Sequence, residues 1–215
     1  MMNPVEIIML AASVVAILMV GTPNIGLSLW LYGLETLLIA VATAFSAKLH
    51  GDLNLFFIAL LVASVKSAGI PLFLEWTTKK LQISRDLGAF LTPPLAMHLS
   101  IMLLAFSFWL TQQLPAPSGE ISGWFGAAAG ISLVFTGLVL MLTRRLAISQ
   151  ILGFLVIENG IFTFALTQTH GMPMFVEMGV MLDMLAGVMI AGLLTFNIQK
   201  SFEHIDVAQL TDLRD

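Results

Sequence analysis

The sequence predicts an all-α integral membrane protein with seven transmembrane helices. Hydrophobic residues make up 58 % of the 215 residues and charged residues only 10 %, and the mean hydropathy is +0.97. Soluble domains average about 25 % charged residues, and a soluble fold could not cover this much apolar surface with so few charges. Apolar runs near the length of a membrane-spanning helix recur along the whole chain.

Seven such runs predict the helices in order. Backbone N–H and C=O groups in lipid must bond within their own segment, so runs of this length form helices. Turn residues separate them, as in "GTPN", "LHGDLN", "PAPSGE" and "THGMP". The predicted spans cover residues 4–21, 25–47, 53–76, 88–111, 123–142, 147–167 and 173–198.

Basic residues predict the orientation of the chain in the membrane. The N-terminus "MMNPVEIIML" has no basic region, so its apolar run is expected to be a retained helix rather than a cleaved signal peptide. With seven spans, one side of the membrane holds only Lys48, and the other holds Lys79, Lys80, Arg85, Arg144, Arg145, Lys200 and Arg214. Positive residues favour the cytoplasmic side, which places the N-terminus outside and the C-terminus in the cytoplasm.

The loop "QQLPAPSGE" is the best internal boundary. It divides a four-helix N-terminal membrane segment, residues 1–112, from a three-helix segment, residues 123–198, with residues 113–122 as an external linker. The polar tail, residues 199–215, is expected in the cytoplasm, against a neighbouring subunit or the membrane surface.

Composition excludes several kinds of chemistry. The chain has no cysteine, which rules out a cysteine-ligated iron–sulfur cluster, c-type haem attachment and disulfides. Its four histidines lie far apart in the sequence and form no obvious haem or metal set. The sequence contains no cluster of basic residues typical of nucleic-acid binding, so no nucleic-acid partner is expected. We therefore expect no cofactor in this chain and no catalytic activity of its own.

Five ionisable residues are predicted inside the membrane, each on a different span: Glu35, Lys66, His98, Glu158 and Asp183. Four are normally charged at neutral pH, and each charge at mid-bilayer costs about 2.5–3.5 kcal/mol on insertion scales. Together these four cost on the order of 10 kcal/mol before pairing, comparable with the stability of an ordinary domain, about 5–15 kcal/mol. They are therefore expected to be paired, hydrated or neutralised.

Two interpretations account for such a set. In the structural one, buried polar groups hold helices together and a Glu–Lys pair fixes their packing. In the functional one, the residues form a proton or ion relay, which is the usual role of chains of Asp, Glu, Lys and His in membranes. Such groups can exchange protons because each changes protonation state when its neighbour does. Five residues at similar depth favour a relay made of all five, with water between them.

Prolines and small residues near these positions support a site. Pro71 follows Lys66 by five residues and frees a backbone carbonyl near the lysine. Interrupted helices beside a charge are typical of transporters, with an ordinary kink as the alternative. Gly179, Asp183 and Gly187 recur every four residues and form one stripe that another helix or water can approach closely.

Other residues have more ordinary interpretations. Glu75 and Glu177 lie near span ends and are possible interfacial residues, for which solvated side chains are the favoured explanation. Gly126 and Gly130 form a G-x-x-x-G pattern in an uncharged span, which predicts a packing helix. His98, taken as a lone histidine, equally fits a hydrogen-bonded core residue.

The C-terminal half resembles the small three-helix K-type (4L) subunit of respiratory complex I. That subunit carries a glutamate in the middle of its second span and another acidic residue in its third. Glu158 in "GFLVIENGIF" and Asp183 in "VEMGVMLDMLAGV" match these places, although the aspartate is one methylene shorter than glutamate.

The stretch "SVKSAGIPLFLEW…TPPLAMHLSIML" resembles the large antiporter-like subunits of complex I and of Mrp antiporters. In those subunits a mid-membrane lysine precedes a proline, and a proline–histidine stretch follows on the next helix. Lys66, Pro71, Pro94 and His98 match, over a short region that lacks the rest of that family's fold.

The order of these features resembles hydrogenase-4 component E and its relatives: a lysine helix, then "ENG", then "VEMGV", then a "DV…L" tail. The resemblance implies a membrane-arm subunit of a group 4 membrane-bound [NiFe] hydrogenase or formate hydrogenlyase complex in the cytoplasmic (inner) membrane of a bacterium or archaeon. Its implied partners are antiporter-like membrane subunits, a quinone-site-like membrane subunit, and the [NiFe]-hydrogenase-like and iron–sulfur subunits of a peripheral arm. The alternatives are a component of a Mrp-type cation/proton antiporter and a structural spacer whose charges merely pair.

Overall fold

The computed structural model describes residues 3–80, 91–114 and 124–168, together with the single residue Gly187. Within these ranges the regular structure is helical and contains no strand. Five helices there are long and apolar enough to cross a membrane, and a shorter apolar helix of 17 residues precedes them. The all-α membrane class is confirmed, whereas the predicted span 173–198 lies outside the described residues except for Gly187.

The helices follow the predicted order with small changes at their ends. The third predicted span is one continuous helical run whose middle is a π-helix. The elements are α1 (Pro4–Val20), α2 (Ile25–His50), α3 (Leu53–Leu61), the π-segment (Val62–Gly69), α4 (Ile70–Lys80), α5 (Pro93–Thr111), α6 (Trp124–Thr143) and α7 (Ala147–Gln168).

Side-chain caps explain where the first helices begin. Asn3 and Glu6 form a capping box at the start of α1. The Asn3 side chain accepts hydrogen bonds from backbone N–H groups of the first turn, and the Glu6 side chain accepts one from the Asn3 backbone N–H. The second carboxylate oxygen of Glu6 accepts a hydrogen bond from the Phe125 backbone N–H at 3.2 Å. One buried carboxyl therefore holds the starts of α1 and α6 together.

The fourth predicted span begins later than expected. Leu91 and Thr92 are not helical, and α5 starts at Pro93, where proline fits because its missing N–H is unpaired in any first helical turn. The prediction of a helix from residue 88 through 111 is wrong on this point. His98 consequently lies five residues, or about 7.5 Å, from the helix start, rather than near its middle.

The irregularity predicted from Pro71 is present as a π-helix. The wider turn ends at Ile70, whose N–H donates to the carbonyl of Val65, five residues earlier. Pro71 has no N–H to give to the carbonyl of Ser67, and its ring crowds that carbonyl. The proline thus favours a wider turn next to Lys66, in place of the simple kink that was the alternative.

Glycines let α6 and α7 approach at backbone distance. A Cβ atom on Gly130 would lie 2.6 Å from the Phe164 nitrogen, and one on Gly160 would lie 2.6 Å from the Val134 nitrogen. Such distances are far below normal contact, so only glycine fits. The predicted packing role of Gly126 and Gly130 is confirmed, since both lie buried on α6.

Gly137 is the most crowded of these glycines. We expect Gly137→Ala to lower the free energy of unfolding by about 3 kcal/mol, because its Cβ would lie 2.5 Å from the Gly153 carbonyl oxygen. Gly26→Ala is the matched control, because the nearest atom to its Cβ is 3.4 Å away. Thermal unfolding of the two purified variants in detergent measures the difference; equal midpoints would contradict this packing.

The two predicted membrane segments pack into each other. α6 contacts α1, α5 and α7, and α2 contacts α1, the π-segment and α7. At the end of α6 the buried guanidinium of Arg144 donates to the carbonyls of Val20 and Thr22, both at 2.8 Å. Many outward side chains are large and apolar, such as Trp30 at 67 % exposure, as expected for helices that face lipid or other subunits.

Candidate functional site

Three of the five predicted ionisable residues meet in the interior. Glu35 lies on α2, Lys66 on the π-segment and Glu158 on α7. The Lys66 Nζ atom is 3.0 Å from the Glu158 Oε2 atom, which makes a direct ion pair. Since α2 and the π-segment belong to the N-terminal segment and α7 to the C-terminal one, the site lies where the two segments pack together.

Asn159 joins the third charge to this pair. Its Oδ1 atom accepts a hydrogen bond from Lys66 Nζ at 2.7 Å. Its Nδ2 atom donates toward both carboxylate oxygens of Glu35, each at 3.2 Å, and toward the Thr36 hydroxyl oxygen at 2.8 Å. These contacts connect four side chains in the order Glu158, Lys66, Asn159 and Glu35, and we call this group the ion cluster.

Donor chemistry fixes the orientation of the Asn159 amide. A lysine ammonium can only donate, so the amide oxygen must face Lys66 and the NH₂ group must face Glu35. The NH₂ group has two protons for three acceptor atoms, because both Glu35 oxygens and the Thr36 oxygen lie within reach. The amide therefore holds Glu35 and Thr36 in place while keeping Lys66 and Glu35 apart.

Burial differs along the ion cluster. Glu35 is 0 % exposed, Asn159 1 % and Lys66 4 %, whereas the Glu158 side chain keeps 14 %. Buried hydrogen bonds are strong because no water competes for them, and an unpaired charge in the same place is correspondingly costly. Glu158 forms the more open end of the ion cluster and Glu35 the closed end.

Charge counting shows what the arrangement can do. Among the described residues the ion cluster contains one cation, Lys66, and two carboxylates, Glu35 and Glu158. With all three ionised it would carry one net negative charge in a low-dielectric interior, which is unfavourable without compensation. One additional positive charge, such as a proton, balances it. Either carboxylate can hold the proton that neutralises the ion cluster.

Local backbone structure positions these side chains. The Ser67 hydroxyl donates to the Gly33 carbonyl at 2.9 Å, which fastens the π-segment to α2. A Cβ on Gly33 would lie 3.0 Å from the Ser67 carbonyl oxygen, so glycine permits this close approach. On α7, Gly160 follows Asn159 directly and allows the contact with α6 that brings the helix into position.

The remaining predicted site residues lie elsewhere. His98 is exposed on α5, and its Nδ1 atom is 2.7 Å from the Pro94 carbonyl oxygen. α5 packs mainly on α6 and also on α1, so the fold does not bring His98 to the ion cluster.

Glu75 pairs with Lys79 at 2.8 Å near the end of α4. Asp183, Glu177 and Gly179 lie outside the described residues, and Gly187 is helical and exposed. Within the described ranges no group of three or more His, Cys, Asp or Glu side chains could hold a metal ion.

Sequence reasoning did not assign Asn159 or Thr36 to the site. Both are neutral, so neither stands out in a search for charges within apolar spans. A signal was nevertheless present, because Asn159 follows Glu158 in "ENG" and Thr36 follows Glu35 in "ET". A polar neutral residue beside a buried carboxylate is a natural hydrogen-bond partner for charges on adjacent helices.

The fold and the site define a class: a helical membrane protein with a buried cluster of one lysine and two glutamates. Over 87 residues the chain is 40 % identical to a protein of Mycobacterium tuberculosis (strain ATCC 25618 / H37Rv) called "Uncharacterized protein Rv0085". The match covers 40 % of this chain and 40 % of that relative. No protein-family model matches the chain, and no solved structure matches it significantly.

Proposed function

We propose that the chain is a non-catalytic membrane-arm subunit of a complex I-like membrane-bound hydrogenase or formate hydrogenlyase complex. In this role it contributes a mid-membrane polar axis for redox-coupled translocation of protons or Na⁺. It binds no cofactor itself, and its partners are antiporter-like subunits, a quinone-site-like subunit, and [NiFe]-hydrogenase-like and iron–sulfur subunits. The resemblance to hydrogenase-4 component E supports the complex, and the ion cluster supports the translocation.

The proposed topology has seven spans in the cytoplasmic membrane of a bacterium or archaeon. The N-terminus is outside and the C-terminus is in the cytoplasm, because this arrangement puts the basic loops on one side. The 17-residue α1 serves as the first span, since a short helix can be accommodated by local thinning of the bilayer.

The observation that carries the translocation proposal is the second carboxylate. A spacer that only neutralises buried charge needs one partner for Lys66, and Glu158 is that partner at 3.0 Å. Glu35 adds a further acidic group, which is fully buried and is linked to Lys66 through Asn159. A merely structural pair does not explain this addition, whereas a site that exchanges a proton between two carboxylates requires it.

The geometry of the ion cluster supports proton movement through it. When a proton reaches Glu158, the attraction between Glu158 and Lys66 is lost, and Lys66 is then drawn toward the charge at Glu35. Driving one charge across about 150 mV takes roughly 3.5 kcal/mol. The redox reaction of the partner subunits supplies this energy, and Asp183 extends the axis toward neighbouring subunits.

The experiment that tests the complex is identification of its partners. The full chain is tagged at its C-terminus and solubilised in a mild detergent, and the co-purifying proteins are identified by mass spectrometry. We expect antiporter-like subunits together with [NiFe]-hydrogenase-like and iron–sulfur subunits. Antiporter-like subunits without any redox subunit would instead support the Mrp-type antiporter, which works from an ion gradient with no electron donor. Recovery of the chain alone would contradict both.

A further inference from the structure

Tyr32 is a fully buried residue next to the closed end of the ion cluster. It is the only tyrosine in the sequence, and its side chain is 0 % exposed. Tyr32 precedes Glu35 by three residues and Thr36 by four on α2, so the three side chains lie on one face of that helix.

The Tyr32 hydroxyl is a hydrogen-bond donor without an acceptor. Within the described ranges it makes no hydrogen bond, although it lies within interaction range of the Thr36 hydroxyl, the Asn159 amide and the Glu35 carboxylate. A buried polar group without a partner is destabilising, and phenylalanine would fill the same space without that cost. The hydroxyl is therefore explained if it finds an acceptor in another state of the ion cluster.

The acceptors beside Tyr32 are one donor short. The Asn159 NH₂ group has two protons for three acceptor atoms. It lies closer to the Thr36 hydroxyl oxygen, at 2.8 Å, than to either Glu35 oxygen, at 3.2 Å. One amide proton is thus directed to Thr36, and the two carboxylate oxygens share the other. An ionised carboxylate, which only accepts hydrogen bonds, has room for more donors than this.

We propose that Tyr32 is a positioning residue for proton exchange: its hydroxyl donates to the Thr36 oxygen when Glu35 is ionised, which releases both Asn159 amide protons to the carboxylate. The proposal rests on the proposed function and names a residue that regulates its site. Each hydrogen bond donated to a carboxylate favours the ionised form. Tyr32 therefore favours the state in which the proton is on Glu158, at the more open end of the ion cluster. The tyrosine keeps its own proton throughout.

Infrared spectroscopy of the purified full chain in detergent measures which carboxylate holds the proton. A protonated carboxyl group has a carbonyl band separate from those of carboxylates and amides, and Glu35→Gln and Glu158→Gln each remove one such band and so assign it. Spectra over a series of pH values give the ratio of protonated Glu35 to protonated Glu158. We expect Tyr32→Phe, which keeps the ring and removes the hydroxyl, to raise this ratio at least about tenfold, the effect of one hydrogen bond to a charged group.

The matched control is Thr136→Val. The Thr136 hydroxyl is also fully buried and makes no hydrogen bond to the part of the chain that the structure describes, but it lies on α6, which contributes no residue to the ion cluster. We expect this variant to keep the wild-type ratio. An unchanged ratio in Tyr32→Phe, or an equal change in Thr136→Val, would overturn the proposal.

A second variant tests whether Tyr32 acts through Thr36. Thr36→Val removes the competing acceptor, so both amide protons of Asn159 are available to Glu35 whether or not the tyrosine hydroxyl is present. Adding Tyr32→Phe to Thr36→Val is therefore expected to leave the ratio unchanged. A further rise as large as that in Tyr32→Phe alone would overturn the proposed route, because Tyr32 would then act on Glu35 without Thr36.

These measurements separate the inference from the function on which it rests. They use the chain by itself and need neither partner subunits nor transport, so co-purification of unrelated partners would contradict the proposed function without changing the ratio. A wild-type ratio in Tyr32→Phe would overturn the role of Tyr32 even if the complex assembles and transports protons.

Discussion

Replacing Lys66 by methionine is expected to lower the free energy of unfolding by about 3–5 kcal/mol. Methionine is an unbranched side chain one atom shorter than lysine, and it removes the charge. The change leaves the Glu158 carboxylate without its ion-pair partner and the side-chain amide oxygen of Asn159 without its hydrogen-bond donor. Thermal unfolding in detergent, or the yield of folded chain from membranes, measures the loss.

A double variant distinguishes lost pairing from lost packing. If the cost comes from uncompensated charge, Lys66→Met combined with Glu158→Gln recovers much of the stability, because the second change removes the unpaired carboxylate. If the double variant is less stable than Lys66→Met by the full cost of Glu158→Gln alone, the two residues are independent and the ion pair contributes nothing. Wild-type stability in Lys66→Met would also contradict the account given above.

Replacing Glu158 by glutamine is expected to leave the complex assembled but to reduce proton transport at least about tenfold, or about 1.4 kcal/mol. Glutamine has the same shape as glutamate but cannot accept and release a proton. It still offers an oxygen atom to Lys66, so the helices stay together. Proton uptake into inside-out membrane vesicles, driven by the electron donor of the complex, measures the effect.

Two further glutamate variants accompany this measurement, one as a second test and one as a control. Glu35→Gln is expected to reduce transport similarly, because it removes the second carboxylate of the ion cluster. Glu6→Gln is the control, since Glu6 is also buried, at 4 % exposure, but caps the start of α1. Normal proton transport in both Glu158→Gln and Glu35→Gln would contradict the proton relay and favour a structural spacer. Loss of transport in Glu6→Gln as well would indicate a general effect on folding.

The sequence predicted the helices well because the bilayer imposes a simple rule. A helix must be apolar over its membrane-spanning length, and caps and glycines mark its ends, as Asn3 and Gly51 do here. Gly51 ends α2 in the left-handed conformation, with φ of 68°. The start of α5 was missed by five residues although the pair Pro93–Pro94 signals a first helical turn.

The site was only partly predictable. Depth in the span indicated that Lys66, Glu35 and Glu158 could meet, and they do. Nothing in the sequence specified that Asn159 lies between Lys66 and Glu35, because that depends on the rotation of α7 about its axis. That rotation is fixed by the glycine contacts with α6. The π-segment could likewise not be predicted from the sequence, since Pro71 predicts a disturbance of the helix but not the wider turn that results.

The ion cluster also has a consequence for biosynthesis, because its parts are made at different times. Lys66 and Asn159 are 93 residues apart, so at about 5–20 residues per second the ribosome needs roughly 5–20 s to make the second after the first. During that interval α2 and the π-segment carry Glu35 and Lys66 without Glu158 or Asn159. A chain that stops before α7 therefore leaves Lys66 in the bilayer without its ion-pair partner, which is energetically costly.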